Sequence, residues 1–185
     1  MYAGHLDLAV PLVWTADGAL DAATCAAYAA RMRADAEVAP VITEHGVAVD
    51  LAVRSNTRVM WDDAAEAAGL LARVTVPERL GGRTLVGANP RLRLYRYRPG
   101  ERHGAHWDTV VELGDGVQSM LTLVFYLNED FTGGATDFPE LKRKIEPRTG
   151  RALIFQHRVL HEATAVTAGE KLVLRTDVLY RDAGR

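Results

Sequence analysis

Side chains that can bind a metal ion occur at three positions in the second half of the chain. His106 and Asp108 are separated by one residue, and His161 follows far downstream. Residues two apart on an extended segment face the same side, so one imidazole and one carboxylate can bind the same ion. Two histidines and one carboxylate bind Fe(II) while leaving coordination positions open for reactants. The spacing therefore predicts a metal site that can act on a bound molecule.

Two alternatives to this interpretation remain open from the residues alone. His106 and Asp108 could form an exposed polar pair in a loop, and His157 could replace His161, because histidines four apart suit zinc on a helix. The apolar residues around His157 favour a strand, where residues four apart are too distant to form a compact pair. We therefore expect His157 to lie behind the site or at the surface. The remaining histidines are expected to be exposed: His5, His45 and His103.

Cationic side chains follow the last candidate ligand. Lys171 opens the alternating stretch KLVLRTDVLY, in which Lys171, Val173 and Arg175 share one face. Cations directed into a protein interior are costly unless they meet an anion. A dicarboxylate co-substrate with one end on the metal would supply that anion.

The elements that must position these residues are mostly strands. Strict alternation in RLRLYRYR, and short apolar runs between glycines and prolines, predict strands over 91–98, 118–128, 152–157, 160–166 and 171–181. Alanine-rich stretches upstream predict helices over 21–35 and 62–73, with strands over 41–43 and 47–53 between them. The pattern indicates a mainly β protein with flanking helices, built as a sandwich or jelly-roll barrel.

Composition bounds the class of protein. The 185 residues carry 22 Lys and Arg against 24 Asp and Glu, a net charge of -2 that argues against a general nucleic-acid binder. One cysteine, Cys25, excludes an internal disulfide and a four-cysteine zinc site. With no secretory signal and no apolar run of about 20 residues, we expect a soluble cytoplasmic protein without a membrane partner. Its oligomeric state is left open.

Four stretches, in order along the last half of the chain, resemble one known family. They are YRYRPGERHGAHWD, LTLVFYLNEDFTGGATDF, IEPRTGRALIFQHRVLH and GEKLVLRTDVLY, and they resemble the iron(II)- and 2-oxoglutarate-dependent dioxygenases, in particular their prolyl 4-hydroxylase-like branch. The resemblance implies a double-stranded β-helix core (jelly-roll, cupin-like) with N-terminal helices packed outside it. We expect one domain over 1–185, with an N-terminal elaboration over 1–87 and the catalytic core over 88–182.

The resemblance also implies roles for individual residues. It assigns Fe(II) to His106, Asp108 and His161, and the distal carboxylate of 2-oxoglutarate to Lys171. Arg175 would either help hold 2-oxoglutarate or contact the substrate. The positions that match the family's co-substrate pocket are Tyr97, Thr122 and Tyr126.

The substrate is less defined than the reaction class. The strand after Lys171 lacks the tryptophan usual in prolyl hydroxylases, and the stretch RSNTR resembles an element of bacterial and plant relatives. Asn56, Arg58 and Trp107 are candidate substrate contacts. The implied reaction uses O2 and 2-oxoglutarate to hydroxylate an unactivated C–H bond of an amino acid, a peptidyl residue (prolyl-like) or a small metabolite, releasing succinate and CO2. The alternative is a cupin-like barrel that binds a metal or ligand without oxygenase activity.

Overall fold

Antiparallel strands dominate the computed structural model, which describes residues 6–32, 37–38, 41–43, 46–48 and 56–182. The helices are α1 (Ala22–Met32) and α2 (Ala64–Leu71). A 3-10 turn covers Pro139–Leu141. The strands are β1 (Val13–Ala16), β2 (Glu37–Val38), β3 (Val41–Thr43), β4 (Gly46–Ala48), β5 (Thr57–Asp62), β6 (Arg79–Leu80), β7 (Arg83–Ala88), β8 (Arg91–Tyr97), β9 (His103–His106), β10 (Glu112–Gly114), β11 (Val117–Tyr126), β12 (Thr132–Gly133), β13 (Thr136–Phe138), β14 (Arg143–Ile145), β15 (Ala152–Gln156), β16 (His161–Ala163), β17 (Val166–Ala168) and β18 (Lys171–Asp182).

The larger sheet has the order β1-β15-β11-β18-β8-β5-β2, with β10 beside β11, β7 beside β18 and β6 beside β7. The smaller sheet has the order β14-β13-β16-β9, and β12 pairs with β17. Strands that are distant in sequence are therefore neighbours in space, as in a curled double sheet. The double-stranded β-helix core expected from the sequence is confirmed.

Alternation along the central strands creates two apolar clusters, one on each face of the larger sheet. Leu92 and Leu94 of β8 pack in the cluster that includes α1 and α2. Tyr95 and Tyr97 belong to a second cluster, which extends to Phe138 of the smaller sheet. Both faces of β8 are buried. Its alternating leucines and tyrosines therefore face two different apolar clusters, and neither set faces solvent. The second cluster surrounds the candidate site.

The helices begin where carboxylates can cap them. The Asp21 carboxylate accepts the Thr24 N–H at 2.7 Å before α1, and the Asp63 carboxylate accepts the Glu66 N–H at 2.9 Å before α2. Asp62, expected in the first turn of the second helix, instead ends β5, where its carboxylate forms an ion pair with Arg91. Neither helix has the length and apolar character that crossing a bilayer requires.

Other differences from the sequence-based expectations concern the ends of elements. The strand expected over 160–166 is split into β16 and β17, because the backbone at 164–166 bonds elsewhere: Thr164 N–H donates to Ala135 and Gly134 N–H donates to Ala165. The end of the first predicted helix, at 33–35, and most of the strand predicted over 47–53 lie outside the described residues.

Candidate metal centre

The two candidate histidine ligands are direct cross-strand neighbours. His106 ends β9, His161 begins β16, and the two residues face each other in the register of the smaller sheet. Asp108 follows β9, and its backbone N–H donates to the carbonyl of His157 at 3.2 Å. One ligand atom from each of His106, Asp108 and His161 lies within 4.8 Å of the other two.

The carboxylate of Asp108 lies between the two imidazoles. Its Oδ1 is 3.7 Å from Nε2 of His106, and its Oδ2 is 3.7 Å from Nε2 of His161. A divalent ion binds such donors at about 2.1 Å, so donors up to about 4.2 Å apart can share one ion. Each His–Asp pair is therefore close enough to bind a single metal ion.

Backbone carbonyls set the tautomer of both histidines. Nδ1 of His106 lies 2.7 Å from the carbonyl oxygen of Gly104, and Nδ1 of His161 lies 3.0 Å from that of Val159. A carbonyl oxygen can only accept, so each Nδ1 must carry the proton and each Nε2 presents its lone pair. Nε2 of His106 is buried and has no hydrogen-bond partner among the described residues. That lone pair is available to a metal.

Burial keeps the two imidazoles neutral. It lowers the pKa of His106 to about 4, with a further contribution from His161, and it also lowers the pKa of His161. Burial opposes ionisation of Asp108 as well, but the Arg175 guanidinium and the histidines outweigh it and hold its pKa well below the ordinary value. At neutral pH the three groups are therefore already in the protonation states that bind a metal.

The Asp108 carboxylate is held by two donors. The Thr122 hydroxyl donates to Oδ2 at 2.5 Å, and Nη1 of Arg175 lies 2.9 Å from Oδ1. Both donors come from adjacent strands of the larger sheet, β11 and β18. The metal-binding side chains are thus supplied by the smaller sheet and its following loop, whereas the groups that orient the carboxylate are supplied by the larger sheet.

A cavity beside the candidate ligands has a buried lysine in its wall. Its walls include both candidate histidine ligands together with Tyr97, Tyr126, Lys171 and Arg175. The Lys171 side chain is 2% exposed, and its Nζ donates to the carbonyl oxygen of Gly134 at 2.6 Å. No carboxylate of a described residue lies within ion-pair distance of this ammonium group. Burial lowers the pKa of Lys171 to about 7.

Comparison with known proteins finds similarity in the part of the chain that holds the site. Residues 92–176 match the sequence profile of the 2OG-Fe(II) oxygenase superfamily. The matched segment contains all three candidate metal ligands and Lys171. The chain is also similar to the "Putative prolyl 4-hydroxylase" of Acanthamoeba polyphaga mimivirus, with 33% identity over 100 residues. That match covers 44% of this chain and 41% of the relative, so the chain matches less than half of its relative's length.

Solved structures of prolyl hydroxylases share the fold of this chain. A prolyl-4-hydroxylase from Pseudomonas putida superposes with a TM-score of 0.70 and 22% identity, covering 95% of each chain. A Trichoplax adhaerens prolyl hydroxylase, in complex with a hypoxia inducible factor peptide fragment, gives a TM-score of 0.67 at 18% identity. That match covers 95% of this chain and 86% of the other. The cupin-like barrel without oxygenase activity is not favoured by these findings.

The donor set fits the cofactors of the superfamily. Two neutral imidazoles and one carboxylate are ligands that suit Fe(II) and leave positions open. The buried lysine that lines the same cavity has the charge needed to pair with a carboxylate of 2-oxoglutarate. The orphaned Nε2 of His106 is the clearest structural sign that a ligand belongs between these groups.

The structure separates the other sequence-predicted residues into two groups. Tyr97, Thr122 and Tyr126 line the cavity together with Arg175, as expected of pocket residues. The candidate substrate contacts do not line it: Asn56 is fully buried, Arg58 is half-buried opposite Tyr95, and Trp107 is 39% exposed.

Sequence reasoning missed His103 and Asp177. His103 was expected to be exposed, but it is half-buried, lines the cavity and stacks on His106 with ring centroids 3.6 Å apart. Residues three apart on a regular strand face opposite sides, and it is the register shift between β9 and β16 that brings His103 onto His106. Asp177 is buried against Arg175 and Arg93, and its spacing of two from Arg175 was the available signal.

His157 is buried rather than at the surface, consistent with a place behind the site. Its Nε2 lies 3.7 Å from Oδ1 of Asp177, and its Nδ1 lies 3.4 Å from the Ser119 hydroxyl. Burial lowers its pKa. His5 and His45 lie outside the described residues.

Proposed function

We propose that the protein is an Fe(II)- and 2-oxoglutarate-dependent dioxygenase whose iron is bound by His106, Asp108 and His161. One observation carries the proposal: three metal-binding donors converge at one cavity, and a buried ammonium without a carboxylate partner among the described residues faces the same cavity. A small dicarboxylate can satisfy both groups at once, because one end can chelate the metal while the other pairs with the ammonium.

Lys171 is the proposed anchor for the distal carboxylate of 2-oxoglutarate. The charge of Arg175 is already balanced, since its Nη1 and Nη2 contact the carboxylates of Asp108 and Asp177. The Nε of Arg175 has no partner among the described residues, so it can still donate a hydrogen bond to a bound ligand. Lys171 contacts no carboxylate in the part of the chain that the structure describes, and binding an anion compensates the cost of burying its charge.

The aromatic walls fit this role for Lys171. Its Nζ lies 5.2 Å from the ring centroid of Tyr97 and 5.5 Å from that of Tyr126. Ring faces attract a cation, so they favour the protonated amine without neutralising its charge. The Tyr126 hydroxyl is 2.7 Å from the Thr136 hydroxyl, and one of the two donates to the other. The hydroxyl that accepts keeps its own proton, which it can donate to a carboxylate of the ligand. We propose Tyr97, Tyr126 and Thr122 as pocket residues.

The chain's own residues prepare the reaction rather than perform the redox steps. When bound, Fe(II) would supply the chemistry in which 2-oxoglutarate, O2 and a substrate C–H bond become succinate, CO2 and a C–OH group, with one oxygen atom of O2 in succinate and the other in the product. The neutral imidazoles and the ionised carboxylate accept the metal without first losing a proton. Phe155, Leu153 and Val173 line the cavity with apolar surface, which excludes water from the bound co-substrate.

The substrate we propose is an amino acid, a peptidyl residue such as proline, or a small metabolite. Support comes from the proteins that this chain resembles, which include prolyl hydroxylases, one of them in complex with a peptide fragment. Trp107 and Arg58 remain proposed substrate contacts, although neither lines the cavity described above. They would have to meet the part of a larger substrate that lies outside it.

The decisive experiment has two stages. Anaerobic addition of Fe(II) and 2-oxoglutarate is expected to produce the visible charge-transfer absorption of a chelated keto acid, and His161→Ala is expected to abolish it. Absence of the band in wild-type protein shown to contain iron would reject the proposal. Succinate formation in air, measured across amino acids, peptides and small metabolites, would then identify the substrate class.

A further inference from the structure

Four charged side chains contact one another in a row that begins at the candidate metal ligand Asp108: two buried carboxylates and two partly buried guanidinium groups. Arg175 contacts Asp108 through Nη1 at 2.9 Å and Asp177 through Nη2 at 3.2 Å. Asp177 in turn contacts Nη1 of Arg93 at 3.0 Å. Two guanidinium groups and two carboxylates therefore neutralise each other, which is how an interior tolerates four charges.

The strand register brings these groups together. Arg175 and Asp177 are two apart on β18 and so face the same side of the sheet. Arg93 lies directly opposite Arg175 on the neighbouring strand β8. Thr122 lies directly opposite Asp177 on β11, on the other side of β18. The two groups that hold the Asp108 carboxylate, Arg175 and Thr122, thus both adjoin Asp177.

Asp177 is itself rigidly held. Its side chain is 1% exposed, and its Oδ2 accepts from the Asn89 side-chain amide at 3.2 Å as well as from Arg93. The Asn89 backbone N–H also donates to the Asp177 carbonyl at 2.8 Å. Asp177 does not line the cavity, so any influence on the metal must pass through another side chain.

We propose that Asp177 is a positioning residue for the metal centre: it holds Arg175 so that the guanidinium orients the Asp108 carboxylate for metal binding. The inference rests on the proposed metal site. A guanidinium contacting Asp108 alone would keep several rotamers, whereas contact with a second, immobile carboxylate removes that freedom. A carboxylate has about four acceptor sites, so Arg175 and Thr122 can occupy two and leave others for the metal.

Metal affinity without turnover tests the proposal. Co(II) is the probe, because it prefers similar ligands to Fe(II) and its absorption spectrum reports the coordination directly. Asp177→Asn is expected to weaken Co(II) binding by about 10- to 100-fold, the usual effect of removing an outer partner of a metal ligand, and to alter the cobalt spectrum. Unchanged affinity in folded Asp177→Asn protein would overturn the proposal.

Coupling between two variants separates positioning from a general loss of structure. Arg175→Lys keeps the positive charge but replaces a fork that reaches two carboxylates with a single ammonium. If Asp177 acts through Arg175, Asp177→Asn should add little to the loss of Co(II) affinity already present in Arg175→Lys protein. If the double variant instead lost Co(II) affinity by the product of the two single losses, Asp177 would act independently of Arg175, against the proposal.

Matched controls keep the outcome interpretable. Asp182→Asn removes an ion pair with Arg83 at the exposed end of the same strand, and it should leave Co(II) affinity unchanged. If Asp177→Asn does not fold, Arg175→Lys decides alone: a loss of about 10-fold supports the proposal, and wild-type affinity overturns it. Wild-type protein that binds no Co(II) would instead reject the metal site, and with it the proposed function.

Discussion

The surroundings of Lys171 favour a bound anion. Its ammonium is buried, donates to the Gly134 carbonyl and lies within 5.5 Å of the centroids of two aromatic rings, without a carboxylate partner among the described residues. Each of these contacts tolerates the charge, but none neutralises it. A residue in this state contributes to ligand binding at the expense of the free protein's stability.

Replacing Lys171 by Met should separate co-substrate binding from metal binding. We expect 2-oxoglutarate affinity to fall by about 10- to 100-fold, since a charge-assisted hydrogen bond contributes about 1.5–3 kcal/mol. Co(II) affinity should not change, because Lys171 is not among the metal-binding groups. Calorimetric titration of metal-free protein with Co(II), and then of Co(II)-loaded protein with 2-oxoglutarate, measures the two constants, with the exposed Lys144→Met as control. Retained co-substrate affinity in Lys171→Met would move the anchor to Arg175.

The affinity for 2-oxoglutarate should depend on pH through Lys171. Burial lowers the pKa of this amine to about 7 in the free protein, so it loses its proton above that pH. Binding to an anion requires the protonated form, and affinity should therefore fall by up to about 10-fold for each pH unit above 7. Titration of Co(II)-loaded protein with 2-oxoglutarate from about pH 6 to about pH 9, a range that brackets the pKa of Lys171, measures the slope. The same slope in Lys171→Met would assign it to another group.

At the scale of elements, the site depends on two strands that are distant in sequence. β9 and β16 place His106 opposite His161, while β18 lies between β8 and β11 in the other sheet. The alternation in the sequence correctly predicted which residues of β8 and β18 share a face: Tyr95 and Tyr97 line the cavity together with Lys171 and Arg175. Local periodicity determines the face of a residue, so this part of the site was accessible from the sequence.

Pairing between strands was not accessible in the same way. The contact of Asp177 with Arg93, and of Thr122 with Asp108, depends on which strands are neighbours and in what register. Alternation within one strand contains no information about register with a distant strand. The stacking of His103 on His106 was missed for a related reason: three steps along β9 lie opposite two along β16, and this register shift brings together residues that regular alternation would separate.

A turn glycine connects the N-terminal elements to the core. Gly150 has φ +77°, and its carbonyl accepts the Leu20 N–H at 3.1 Å just before α1. A Cβ at Gly150 would overlap the Leu20 carbonyl oxygen, whereas a Cβ at Gly18 (φ +65°) would meet nothing within 4 Å. The two positions share the strained backbone conformation and differ in the space around it.

We therefore expect unequal losses of stability from two alanine substitutions. Gly18→Ala should lower the free energy of unfolding by about 1–2 kcal/mol through backbone strain. Gly150→Ala should lower it by about 2–5 kcal/mol, because displacement of the Leu20 segment adds about 1–3 kcal/mol to the same strain. Urea denaturation of both variants measures the difference. Equal losses would show that the Leu20 segment adapts without cost.

Across the whole molecule, apolar residues pack on both faces of the larger sheet, whereas the charged groups of the interior lie on one face. Apolar clusters cover both faces of the larger sheet, with the helices on one side and the smaller sheet on the other. The charged groups of the interior lie on the side of the smaller sheet, where the four contacting side chains sum to zero charge and Lys171 contacts no carboxylate of a described residue. Because β1 pairs with β15 and β5 pairs with β8, residues from the first half extend the same sheet, which supports the proposal of one domain over 1–185.

Ligand-dependent unfolding should report on the site and the molecule together. With Co(II) present, 2-oxoglutarate at about 100 times its dissociation constant should add about 2.7 kcal/mol to stability and raise Tm by about 5–10 °C in one cooperative transition. Without metal, the same concentration should raise Tm far less, because the cavity then offers Lys171 but no metal to chelate the keto acid. Differential scanning calorimetry measures these shifts, and His161→Ala should lose the metal-dependent part. Two separate transitions would contradict one domain, and equal shifts with and without metal would place 2-oxoglutarate away from the metal centre.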